Sequence, residues 1–245
     1  MTARQKGFTL LELAIALGLG ATLLAGMLLV AESFTLSLRQ QAALTALQDR
    51  AGFALGTLSQ AVESAGYSPT PWTTPARDAA VDGSAAIVAP GGDRLTVRRW
   101  SRRNCLGNDN PVRGADGEPA PWFRVSAFEV RPARGLVTTC HYGPGPGPGV
   151  RQLTAATLVE GVEALVLSVG EDRDGDGRVD AWLPAGGWTD ERRIIGLRIG
   201  VLIAGPAAQA PAAGPLRLLG RTLTPPADGR PRRAMTTTVP IRGRL

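Results

Sequence analysis

The sequence predicts an α+β protein: a long N-terminal α-helix, membrane-spanning in its first half and amphipathic in its second, packed on an antiparallel β-sheet head domain. Three observations predict it. The chain is almost entirely apolar from Phe8 to about Val30, and no proline interrupts it from Phe8 to Tyr67. Leu44, Leu47, Ala51, Leu55, Leu58 and Val62 then recur at three- and four-residue spacing, the mark of a helix with one apolar face. Beyond Tyr67 short β-branched segments replace that spacing, and a helix followed by a run of strands indicates a sheet packed on the helix.

The apolar run can cross a bilayer, because about 20 residues at ~1.5 Å each span the hydrocarbon core. Arg4 and Lys6 precede it, and a basic leader stays on the cytoplasmic side. A cleaved secretory signal needs a small-residue site after its apolar core, for which Val30-Ala31-Glu32-Ser33 is a poor substitute. Glu12 is the costly residue, since a carboxylate inside a membrane helix costs about 2.5–3.5 kcal/mol and calls for a partner. Ala14, Gly18, Thr22 and Gly26 fall four apart, a strip of small residues suited to close helix contact. Glycine at 66 offers a C-terminal cap, so the helix is expected to end near Ala65-Gly66.

Strands are expected at Leu95–Trp100, Phe123–Val130, Leu136–Tyr142, Val162–Val169, Ile194–Ala204 and near Thr236–Ile241. Arg131-Pro132-Ala133-Arg134-Gly135 joins the second and third as a hairpin turn. Ser68 to Gly83, the Gly-Pro alternation from Gly143 to Gly149, and the Pro/Ala/Arg-rich stretch from Gly205 to Arg233 read as loops.

The segment GFTLLELAIALGLG, residues 7–20, resembles the class III signal of type IV pilins and pseudopilins. The resemblance implies that a prepilin peptidase cuts between Gly7 and Phe8, that the new amine of Phe8 is methylated, and that Glu12 sets subunit register by pairing with a neighbour's N-terminus. Four later blocks, LQDRAGFALGTLSQAVESAGY, LVEGVEALVLSVGEDRDGDGRVDAW, RRIIGLRIGVLIA and RRAMTTTVPIRGRL, resemble PilW-type minor pilins in order. The fold implied is type IV pilin-like. It divides into a cytoplasmic leader (1–7), a transmembrane and filament-core helix (8–30), its amphipathic continuation (31–66) and a head outside the cytoplasm (67–245). Implied partners are the prepilin peptidase, other minor and major pilins, and the bacterial inner membrane. A minor pseudopilin of a type II secretion system, J type, shares this anchor and head and is the first alternative. A DNA- or polyanion-binding pilus subunit is the second.

The net charge of +6, or +4 without Arg4 and Lys6, admits a nucleic acid partner, and Arg98-Arg99-Trp100-Ser101-Arg102-Arg103 is the cluster that would serve it. Yet the only lysine is Lys6, and a GC-rich coding background accounts for the arginine excess equally well. The two cysteines, Cys105 and Cys140, fall on the exported side, where a disulfide forms and persists. Asp172, Asp174, Asp176, the carbonyl of Arg178, and Asp180 reproduce the first part of an EF-hand loop around Gly177, a set of hard oxygens suited to Ca²⁺. Leu183 stands where the bidentate glutamate belongs, leaving Glu171 or Asp190 to compensate. Without calcium the same string makes an acidic β-turn. An enzyme is not expected: His141 is the single histidine, and no nucleophile elbow, phosphate loop or metalloprotease motif occurs.

Overall fold

The computed structural model describes residues 9–69, 93–145, 152–190, 193–206 and 214–241. The chain divides into two compact units, one up to Thr45 and one from Ala46 onward. A single helix, α1 (Leu10–Glu63), contributes to both.

In the first unit α1 is long and apolar enough to cross a membrane. Leu10, Leu13, Ile15, Leu17, Leu23 and Leu28 are all exposed, as residues that face lipid rather than a protein core should be.

The second unit is built on the rest of α1. Leu47, Ala51, Ala54, Leu55, Leu58 and Val62 are buried there, whereas Leu44, expected at the head of the stripe, is half-exposed and lies one turn before its first buried member. The helix ends at Glu63, and the chain turns through Gly66, whose φ of 74° is cheap only for glycine. The amide of Gly66 donates to the carbonyl of Arg98 at 2.8 Å, tying the helix end to the first strand.

Two four-stranded antiparallel sheets follow where one was expected. Sheet A has the order β1-β2-β3-β4, from β1 (Leu95–Ser101), β2 (Trp122–Arg131), β3 (Gly135–Gly143) and β4 (Gln152–Val159). Sheet B has the order β10-β7-β5-β6, from β5 (Val162–Glu171), β6 (Ala181–Pro184), β7 (Ile194–Ala204) and β10 (Arg232–Pro240). Leu95, Phe128, Val130 and Leu136 of sheet A, with Leu165, Leu167, Leu197, Ile199 and Ile203 of sheet B, join α1 in the main core.

The remaining strands, β8 (Leu216–Leu218) and β9 (Arg221–Leu223), form a hairpin in the stretch expected to be a loop. Leu218 packs on Ala164, Val166 and Leu202, and an ion pair of 2.8 Å joins Arg221 to the buried carboxylate of Asp93. That hairpin covers the second face of sheet B. Burial of both faces explains why β5 and β7 are continuous apolar runs rather than alternating ones.

Candidate functional site

Four sets of residues were singled out for function, and the structure treats each differently. At the N-terminus, Gly7 and Phe8 lie outside the described residues. Glu12 sits in the first turn of α1, where its carboxylate accepts from the amide and the hydroxyl of Thr9, both at 3.3 Å. The amide of Glu12 donates in return to the Thr9 hydroxyl, also at 3.3 Å. This is a capping box, with Thr9 as N-cap and Glu12 three residues on, so the Glu12 carboxylate satisfies the Thr9 amide within its own chain. The Thr-x-x-Glu spacing of residues 9–12 is the sequence signature of such a box.

The acidic string forms the connection from β5 to β6. The strands close on Glu171 opposite Ala181, and the Asp180 amide donates to the Glu171 carbonyl at 2.9 Å. Gly170 is required below the loop, because a Cβ there would meet Val179 at 2.8 Å. Within the loop Asp172 accepts from the amides of Gly175 (2.6 Å) and Gly177 (2.9 Å), Asp174 from Asp176 (3.1 Å), and Asp176 from Arg178 (2.8 Å). Carboxylate oxygens of Asp172, Asp174 and Asp176 thereby come within 4.8 Å of one another. Burial raises the Asp172 carboxyl, but the bonds from Gly175, Gly177 and the rest of the loop outweigh it and hold the group below its ordinary range.

Two expected donors lie outside this converging set. Asp180 accepts from the amide of Arg173 at 2.6 Å and stands outside the converging set. Glu171 is fully buried and engaged by other groups: one oxygen accepts from the Thr189 amide (2.9 Å), the Thr189 hydroxyl and the Asp190 amide (3.2 Å), the other from Arg173 Nε (3.0 Å). It does not replace the missing twelfth ligand; it clips the segment around Thr189 to the base of the loop. The donor set still suits a hard cation, since each carboxylate oxygen has a second lone pair beyond its amide bond.

Glu171 also gives the head an acid-sensitive fastening. The hydroxyl and amide of Thr189, with Arg173 and the Asp190 amide, hold its carboxyl at about 2 against the upward push of burial, from an ordinary 4.5. A lowered native pKa contributes stability that is complete above about 4.5 and is lost as pH falls through about 2. Glu171→Gln is therefore expected to lower the thermal midpoint at pH 7 and to approach the parent at pH 2, as measured by circular dichroism melts across that range. Parallel curves for the two proteins would show that the clip is not electrostatic.

Cys105 and Cys140 form a disulfide, with Cα atoms 5.8 Å apart. His141, next to it on β3, lies opposite Val125 and Leu153.

Two of the four arginines in the basic run at 98–103 pair with carboxylates. Arg102 pairs with Asp116 (3.4 Å) and Glu118 (3.6 Å), Arg103 with Asp109 (3.4 Å), and Trp100 packs edge-on against Phe123. Farther along, Arg230 and Arg232 share Glu163, and Arg232 also pairs with Asp228 at 2.8 Å. Arg102, Arg103, Arg230 and Arg232 thus each face a carboxylate of the same chain.

A long N-terminal apolar helix whose latter part packs on antiparallel sheets, with a capping glutamate in its first turn, is a type IV pilin-like fold. Residues 2–28 match the prokaryotic N-terminal methylation motif, and residues 148–243 match the family described as type IV pilus-assembly protein W. The chain thus carries the two parts of a PilW-type minor pilin, a structural protein of type IV pilus assembly and not an enzyme. A type IV-like pilin from Thermus thermophilus has a similar fold, at a TM-score of 0.50 and 18% identity over 81% of this chain and 96% of that one. Comparison with curated proteins gives no match. The methylation motif entails processing by prepilin peptidase and association with other pilins, and with the apolar helix it indicates membrane anchoring.

Proposed function

We propose that this minor pilin is stored in the inner membrane with residues 1–7 in the cytoplasm and its head outside. Prepilin peptidase cuts between Gly7 and Phe8, Phe8 is methylated, and the protein enters the complex that primes a pilus or sits at its tip. The observation that carries this reading is the methylation motif at residues 2–28 followed by the PilW match in the head. Arg4 and Lys6 favour the orientation through the positive-inside bias. N-terminal sequencing of the membrane-extracted protein is expected to begin at methylated Phe8; a start at Met1 or beyond Ala31 overturns the reading. Deletion is expected to remove surface pili, whereas retained pili with blocked protein secretion supports a J-type pseudopilin instead.

The head loop is the place for Ca²⁺ in this reading, with Asp172, Asp174 and Asp176 as ligands and the Arg178 carbonyl as the further oxygen expected from the loop pattern. Bound there, a divalent cation supplies charge neutralisation for three converging carboxylates and stiffens the loop. Calorimetric titration of the full chain in detergent with Ca²⁺ is expected to give a saturable heat that disappears in Asp174→Ala/Asp176→Ala. Equal heats in both proteins, or none in the parent, would sink it.

A further inference from the structure

One face of sheet A changes character along its strands. Leu95 and Phe128, paired in register, are buried in the core with α1, together with Val97. Residues two apart on a strand share a face, so Arg99 and Arg124, opposite one another in the same register, continue it. Together they line a recess of about 830 Å³, bounded by the last turns of α1 and by the Cys105–Cys140 bridge. Ser126, Thr138 and Thr154 supply hydroxyl groups to its lining.

These two arginines differ from their neighbours. Arg102, Arg103, Arg230 and Arg232 all have carboxylate partners, but burial lowers the pKa of Arg99, and burial followed by the charge of Arg99 lowers that of Arg124. The Nε of Arg124 is buried without a hydrogen-bond partner, and its terminal nitrogen reaches the Asn104 carbonyl only at 3.5 Å. Among the described residues Glu63 is the one carboxylate in the lining, so against two guanidinium groups the recess keeps a net positive charge. Two guanidinium groups side by side, partly desolvated and mutually repelling, are unfavourable in the chain alone and favourable around an anion.

We propose that this recess receives a carboxylate side chain from a neighbouring pilin subunit, held between Arg99 and Arg124. The inference rests on the minor-pilin reading and names the contact by which the head joins its assembly. A single oxyanion fits better than a polyanion, because the adjacent Arg102 and Arg103 are occupied by Asp116, Glu118 and Asp109, and Trp100 is packed on Phe123. A phosphodiester chain needs successive free cations and free aromatic faces. Guanidinium groups match carboxylates through paired N–H donors, and the hydroxyl groups of the lining can complete the site.

The test uses the full chain in its own cells, with a photo-crosslinking residue in place of Leu106, which lines the recess and is 66% exposed. The expected product joins this protein to an acidic segment of another pilin, falls at least ten-fold in Arg99→Gln and in Arg124→Gln, and is partly kept in Arg124→Lys. Exchanging charges, Arg124→Glu with arginine at the crosslinked acid, is expected to restore it. In detergent, purified Arg99→Gln should melt at or above the parent temperature, since it removes repulsion. A lower midpoint assigns the arginines a structural role and overturns the proposal, as does a crosslink that ignores both substitutions. Binding of a single-stranded oligonucleotide that is lost in Arg99→Gln replaces the carboxylate with a polyanion. N-terminal sequencing of the same material separates the two levels: a start at Phe8 without the crosslink overturns only this contact, and a start at Met1 overturns both readings.

Discussion

Glu12→Gln is expected to be cleaved like the parent protein and to enter pili at least ten-fold less often. The glutamate serves two ends that this one substitution separates. Its carboxylate closes the capping box with Thr9, at 3.3 Å to both the amide and the hydroxyl, and glutamine can occupy the same position in such a box. The cap therefore survives while the charge is lost. Insertion becomes easier, because the charged side chain costs about 2.5–3.5 kcal/mol in a membrane helix, so failure to insert cannot account for a defect. What remains is the pairing with a neighbour's Phe8 amine that the resemblance to pilins implies. Removing one member of a buried ion pair costs about 3–5 kcal/mol, enough for a ten-fold loss several times over. Thr9→Val makes the complementary test, removing the cap at a cost of about 1 kcal/mol and leaving the charge, and near-parental incorporation is expected. Quantitative blotting of sheared pili against the membrane fraction measures both. Parental incorporation of Glu12→Gln would confine Glu12 to capping its own helix.

The contrast between Thr9 and Glu12 shows what was legible in the chain. Features that depend on spacing along the sequence could be read: the buried stripe from Leu47 to Val62, the glycine at 66, and β7, whose apolar run from Ile194 to Ala204 is the observed strand. Features that depend on a third element could not. β4 is Gln-Leu-Thr-Ala-Ala-Thr-Leu-Val, with little apolar alternation, and exists because β3 offers it a ladder. β8 and β9 are three residues each, too short for any period, and turn through Leu219 and Gly220 at positive φ. The acidic loop was legible as a turn with convergent carboxylates. That Asp180 and Glu171 would be taken by Arg173 and Thr189 was not, since Thr189 lies eighteen residues away and arrives through the fold. Arg99 and Arg124 likewise read as one member of a surface cluster and one ordinary strand residue until the register set them opposite each other.

Removing the disulfide, by Cys105→Ser/Cys140→Ser or by a reductant, is expected to destabilise the head by about 4 kcal/mol in the chain-entropy estimate for a loop of this length. The sequence separation is 35, and the enclosed chain runs through residues 106–121, which hold no strand, before it enters β2 and β3. It is organised by local turns: Asn104 Oδ1 accepts from Leu106 and Asn108, Asn110 reaches the Ala120 carbonyl at 2.8 Å, and isolated bridges join Arg103 to Asp109 and Arg113 to Pro119. Such turns fix the loop's own shape, but the covalent link to buried Cys140 on β3 limits where the loop can go when the head unfolds. A loss of 4 kcal/mol corresponds to roughly 8–16 °C in thermal midpoint for a domain of this size, and a melt of the purified chain with and without reductant reads it directly. The double variant should match the reduced parent. If the midpoint is unmoved, the turn network alone holds the loop and the bridge is dispensable for stability. The same substitution bears on the recess, because Cys105 and Leu106 form part of its wall and Arg124 points a nitrogen at Asn104. A destabilised wall leaves the two arginines more hydrated, and hydrated cations attract a carboxylate less. The serine variant is thus expected to weaken the intersubunit crosslink even at temperatures where the head remains folded.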